Sequence, residues 1–115
     1  MSDDREFLEM AAKAAGYKFD STSPFEICIP HKGGDNYCDW NPLNEDDDAL
    51  QLAVALRIGF DCYVDPALVE HCCAWVNHRN VPKFHRIYEP YGDAPSAATR
   101  RAIVRVAAEI GKAMP

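Results

Sequence analysis

At 115 residues and 48% hydrophobic content, the chain suits one globular domain rather than a disordered segment. A chain of this length buries roughly 65% of the surface its unfolded form would expose, enough for a core without staples. The formal charge of −6 and the pI near 5.1 argue against general affinity for nucleic acid, which needs a basic face. No run approaches the ~20 apolar residues that cross a bilayer, and the opening MSDDREFLEM is charged rather than signal-like. A cytoplasmic protein with no membrane partner is expected.

In chain order, residues 3–15 read as an amphipathic helix. Asp3 with Glu6 resembles a capping box, Leu8, Ala11, Ala12 and Ala15 form a narrow face of small residues, and Gly16 suits the C′ stop. Phe25 to Ile29 alternates and predicts a short strand that Pro30 ends. His31 to Asn36 then reads as a turn. Pro42 holds Asn41 out of the helical region, so Trp40-Asn41-Pro42-Leu43 is an extended lead-in. A second helix is expected over 45–58, with Asn44 as N-cap and Glu45, Asp46, Asp47 and Asp48 favouring the positive end of its dipole. Leu50, Leu52, Ala53, Val54, Leu56 and Ile58 make that helix apolar over much of its circumference, so deep burial is expected.

Gly59 is expected to stop this helix, and Phe60, Cys62 and Val64 alternate as a strand before the Asp65-Pro66 turn. Residues 68–77 and Lys83 to Glu89 read as the two strands of an antiparallel hairpin. The clearest element comes last. Ile103, Val106, Ala107, Ile110 and Met114 recur at helical spacing, with Asp93 as N-cap, Pro95 in the first turn, and Gly111 and Lys112 at the far end. Three helices around about four strands predict an α/β domain, a small three-layer α/β/α sandwich with a mixed or partly antiparallel sheet. In that arrangement two helices take opposite faces.

Two stretches carry a family resemblance. Trp40-Asn41-Pro42-Leu43, with Asp47-Asp48-Ala49-Leu50-Gln51-Leu52-Ala53 downstream, resembles a signature of the phage ABA sandwich domain family. So does Glu89-Pro90 followed by Ala97-Ala98-Thr99-Arg100-Arg101-Ala102-Ile103-Val104. The resemblance covers about residues 40–110 and implies a three-layer α/β/α domain encoded by phages and prophages, acting in the host cytoplasm. It implies no activity, and no catalytic residue is carried over. Leu68 to Arg86, with its Cys72-Cys73 pair, is where the resemblance weakens.

Several constellations invite chemistry. Cys28, His31 and Cys38, with His71, Cys72, Cys73 and His78, suggest zinc, but no CxxC pair exists. The five cysteines read as reduced, buried small hydrophobes, and a thiol nucleophile at Cys72 or Cys73 would need a cation or helix terminus beside it. The carboxylates 45–48 fan around one turn instead of converging on a hard cation, and no Gly-rich phosphate loop is present. No metal or cofactor is therefore expected.

A less specific set is Trp40, Tyr37, Tyr88 and Tyr91 with Arg79, His85, Arg86 and Arg100. Rings and arginines of this kind suit a stacked base and a phosphate. The candidate ligand-binding residues are Trp40, Tyr37, His85, Arg86, Tyr88 and Arg100. The competing assignment puts Trp40 in the core beneath the second helix and Arg100, Arg101 and Arg105 on a solvated helix face. The reading is a non-enzymatic phage accessory protein that binds a small anionic or nucleotide ligand, or a host protein, to counter host defence. The alternatives are a hydrolase using His71 or His85, and a structural or assembly protein. A homodimer is compatible with such a domain. Convergence of the rings and arginines into one cleft favours a binder, and dispersal favours the assembly class.

Overall fold

The last helix is the element on which the others pack. In the computed structural model, which describes residues 2–16, 29–30, 36–37, 40–76 and 86–114, it is α3, Pro95–Ala113. Its buried positions are Ala98, Ala102, Ile103, Val104, Val106, Ala107, Ala108 and Gly111, which leaves only a narrow solvent strip. The expected stripe is thus part of a wider buried surface, because α3 has neighbours on two sides. One side meets α1, Ser2–Ala14. The other meets the sheet formed by β3, Ile58–Val64, β4, Glu70–Val76, and β5, Ile87–Pro90.

The contact with α1 follows from small residues. Ala11 and Ala12 are fully buried, with Phe7, Leu8 and Ala15 packed beside them, as the narrow face predicts. Gly111 completes the approach: a Cβ there would stand 2.0 Å from the Met10 carbonyl oxygen. Gly111, at the far end of α3 as the sequence suggested, is therefore also a packing glycine. Gly16, at φ 79°, follows the end of α1 in the left-handed region where glycine carries no Cβ penalty. The side chain of Asp3, and so the expected capping box, lies outside the described residues.

The sheet is three-stranded and antiparallel in the order β3-β4-β5. Ile58 pairs with Val76 and Val64 with Glu70, while His71 pairs with Pro90 and Ala74 with Ile87. The expected pairing of 68–77 with 83–89 is present in shorter form, because β5 begins only at Ile87. Residues 77–85 between them lie outside the description. A separate two-stranded pair joins β1, Ile29–Pro30, to β2, Asn36–Tyr37, with Pro30 as the last residue of β1 and itself paired with Asn36. Among the described residues the expected sheet of about four strands has three, with this pair separate from it. Phe25 to Cys28 and the expected turn at 31–35 lie outside the described residues.

The acidic helix is α2, Asp46–Leu56, shorter than the expected 45–58. Its N-cap is Glu45, which makes no side-chain cap hydrogen bond, in place of Asn44. The lead-in is instead tied by Asn41 and Asp48. The Asn41 N–H donates to Asp48 Oδ2 at 2.9 Å, and Asn41 Oδ1 accepts from the Leu43 N–H at 3.1 Å. The Asn41 carbonyl accepts from Asn44 and Glu45. Trp40 and Pro42 are buried beside this turn. At its other end α2 stops at Arg57, which adopts φ 58° and ψ 42°, so Ile58 belongs to β3 and Gly59 stops nothing.

Burial of α2 is one-sided. Asp48, Ala49, Leu52 and Ala53 are buried, but Leu50 is 56% and Val54 71% exposed. This corrects the expectation of a deeply buried helix: Val54 points to solvent, and Leu50 stands half-exposed at the rim of the space between α2, β3 and α3. Likewise α3 begins at Pro95 with Ala94 as N-cap, rather than at Asp93. Both α2 and α3 pack on the sheet face that carries Ile58, Cys72, Ala74 and Ile87. Alternation puts Tyr63, His71, Cys73, Trp75 and Tyr88 on the opposite face, where no described helix packs. The domain is mixed α/β.

Candidate functional site

The helix side of the sheet holds a groove of about 320 Å³ between α2, β3 and the start of α3. Ala49, Leu50, Phe60 and Ile103 form its apolar walls, and Asp46, Asp47, Ser96, Thr99 and Arg100 supply polar atoms. Arg100 is the best-anchored of these. Its Nε–H donates to the Leu43 carbonyl at 2.9 Å and Nη1 donates to Asp46 Oδ1 at 2.5 Å, with only 18% of the side chain exposed. Asp46 is 77% exposed, so this carboxylate reaches the guanidinium from the solvent side. A groove of this size lies at the lower end of the range for small-molecule pockets.

The six candidate ligand residues do not gather there. Arg100 lines the groove, while Trp40 is 4% exposed within the core cluster, as the competing assignment had it. Arg86 and Tyr88 go with the sheet face that α2 and α3 leave open. The Arg86 guanidinium lies 5.1 Å from the Trp75 ring centroid, and Tyr88 lies 5.1 Å from Tyr63. Tyr37 belongs to β2, with its side chain outside the description, and His85 lies wholly outside it. Among the described members the set is dispersed over two faces and the core. Leu50, Phe60, Thr99 and Ile103 were missed as site residues. Leu50 was counted into a buried stripe, and nothing local distinguishes a wall of a groove from a wall of the core.

Arg101 and Arg105 are likewise engaged rather than simply solvated. Both face Glu89, whose side chain is 13% exposed, and Arg105 Nη1 donates to Glu89 Oε2. Arg101 also bonds Asp4 at 2.9 Å and lies 5.7 Å from the Phe7 ring. The two stretches that carry the family resemblance therefore contact each other through Arg100 with Leu43, and Glu89 with Arg101 ties together the two parts of the second. Their arrangement is a framework.

The thiols have ordinary surroundings. Burial pushes the Cys72 thiol up from its usual 9.0, partly offset by a hydrogen bond with Thr99, which disfavours the thiolate a nucleophile needs. Cys73 is buried, and its hydrogen bond with Tyr88 is the main cause that raises the Tyr88 phenol. Cys62 is exposed, against the expectation of a buried thiol, and its hydrogen bond raises Tyr91. Cys28 and Cys38 lie outside the described residues. Among the described residues no group of three or more His, Cys, Asp or Glu side chains is placed to hold a metal ion. His71 Nδ1 is 3.0 Å from the Val69 carbonyl and 4.0 Å from Asp65 Oδ2.

Among the described residues no helix is long and apolar enough to cross a membrane. Comparison with family models, with curated proteins and with solved structures returns no match.

Proposed function

We propose that this is a non-enzymatic accessory protein of phage or prophage origin whose α2–α3 groove binds a small ligand with an aromatic ring and one negative charge. The groove carries the reading: Leu50, Phe60 and Ile103 offer an apolar bed, and Arg100 stands at its edge. Arg100 is already held through Nε by Leu43, so a ligand anion needs only to replace the exposed Asp46 at Nη1. The start of α3, with no acidic residue in its first turn and no side-chain cap, adds a favourable partial charge. Asp46 and Asp47 on the same rim oppose a multiply charged phosphate. The favoured class is thus a monoanion such as a cyclic mononucleotide or an aromatic carboxylate, ahead of a nucleoside triphosphate. Sequestering such a signal, or a host protein, to counter host defence accords with the resemblance to the phage ABA sandwich domain family.

Native mass spectrometry of the full chain with cyclic nucleotides, aromatic carboxylates and triphosphates tests this. A stoichiometric monoanion adduct that Arg100→Ala weakens about tenfold or more, the worth of one charge-assisted hydrogen bond, supports it. An apo mass unchanged across the panel overturns it. A second reading, a structural or assembly protein, is favoured by the dispersal of the aromatic and arginine set. It expects a defined oligomer and no adduct.

A further inference from the structure

Among the described residues nothing pairs with the outer edge of β3. In the sheet order β3-β4-β5 it pairs with β4 alone, and the last five of its seven residues, Phe60 to Val64, are all exposed. Three of the five are large: Phe60 at 43%, Tyr63 at 42% and Val64 at 49%. An edge strand that must stay solitary normally carries a lysine, a proline or a bulge, and β3 has none of these among its residues IGFDCYV. Its one charge is Asp61.

The ladder shows which backbone groups face outward. Beyond the strand end the Asp65 N–H donates to the Val69 carbonyl at 3.1 Å, continuing the pairing of Asp61 with Cys73 and Tyr63 with His71. Alternation then turns the N–H and C=O of Phe60, Cys62 and Val64 away from β4. The Cys62 N–H agrees, since it donates to the neighbouring Asp61 carboxylate at 2.7 Å.

We infer that this edge is a self-association surface, and that two copies of the chain pair β3 to β3 antiparallel about a twofold axis at Cys62. Because side chains alternate between faces, a twofold normal to the sheet must pass through a residue position. An axis at Tyr63 or Val64 would set Phe60 against Pro66 or Leu68, beyond the strand end, which leaves three positions to compete. An axis at Asp61 sets two carboxylates directly opposite each other, which is repulsive. An axis at Phe60 spends Gly59 and the already buried Ile58 and leaves Tyr63 and Val64 uncovered. An axis at Cys62 pairs all five exposed residues: Phe60 with Val64 of the second copy, Asp61 with its Tyr63, and Cys62 with its Cys62. The outward N–H and C=O groups of Phe60, Cys62 and Val64 then complete a six-stranded sheet. Leu50 on α2 lines the same groove as Phe60, so the apolar surface runs on from the strand edge to that helix.

This inference shares Phe60 and Leu50 with the proposed ligand groove, and its test uses Cys62 and Val64, which do not line that groove. Sedimentation velocity of the full chain over a concentration series is expected to show a dimer of the 12.9 kDa protein. Val64→Lys places an edge lysine, and Cys62→Pro removes an N–H that β4 does not use. Each is expected to weaken the dimer at least tenfold while far-UV circular dichroism stays that of the parent. A short bismaleimide should link Cys62 to Cys62, located by peptide mass spectrometry. A chain that stays monomeric throughout overturns the inference. So does a dimer that ignores Val64→Lys and yields no Cys62–Cys62 link, and this arm decides even if Cys62→Pro fails to fold.

Discussion

The carbonyl oxygen of Met10 occupies the place where a Cβ on Gly111 would stand, with 2.0 Å between them. Backbone thus meets backbone at the crossing of α1 and α3, and neither partner has a rotamer that yields. Gly111→Ala would gain up to ~1 kcal/mol in helix propensity at an open site. Here the clash is larger, and separating the helices would loosen Ala11, Ala12 and Ala107, all fully buried. The expected outcome is a loss of about 1–3 kcal/mol, read from the denaturant midpoint at constant slope. A variant that is more stable than the parent would mean that the helices are not in this contact.

A second prediction concerns the Trp40 lead-in. The buried Asp48 carboxylate accepts the Asn41 N–H and holds the turn that seats Trp40 and Pro42 in the core. Asp48→Ala leaves that N–H unpaired beside apolar neighbours, a cost of about 1–3 kcal/mol. Asp47→Ala, one residue away and exposed, is expected to change the midpoint by under ~0.5 kcal/mol. Equal effects would show that Asp48 acts only through the helix dipole.

Arg57 offers the opposite sign. Its left-handed conformation, φ 58°, turns the chain from α2 into β3 within one residue, and its N–H bonds the Ala53 and Val54 carbonyls. A left-handed non-glycine residue costs roughly 1–2 kcal/mol, and glycine removes that strain but adds unfolded-state entropy. Arg57→Gly should therefore raise stability by about 0.5–1 kcal/mol, a few degrees in Tm for a domain of this size. A fall in Tm would place the value of Arg57 in its side chain.

Cys72 sets an alkaline limit. Burial raises its folded-state pKa above the usual 9.0, so above that pH the unfolded chain has released a proton the folded chain still holds. The unfolded state then binds fewer protons, and stability falls as pH rises from about 9 towards the folded value. Below 9 this contribution is constant. Denaturation midpoints measured across this range should decline for the parent and decline less for Cys72→Ala. The phenols of Tyr88 and Tyr91, raised by hydrogen bonds with Cys73 and Cys62, add a similar trend only above their usual 10.0. Parallel curves for parent and variant would sink the assignment.

What the sequence determined by itself was local. The spacing of Ile103, Val106 and Ala107 makes a helix whatever packs on it, and Ala11 and Ala12 announce a close neighbour without naming it. Alternation placed Phe60, Cys62 and Val64 on one side of a strand, and Pro42 kept Asn41 out of a helix. Partners were decided only by the tertiary structure. Leu50 and Val54 look like core residues in a one-dimensional pattern, and only the position of α3 leaves them in solvent. Gly111 shows no packing role until α1 lies across it, and Arg100 looks like a surface cation until Leu43 and Asp46 meet it from across the fold. Hydrophobicity states that a side chain prefers to leave water. Which surface receives it depends on contacts between residues distant in the chain, and those form only when the whole domain closes.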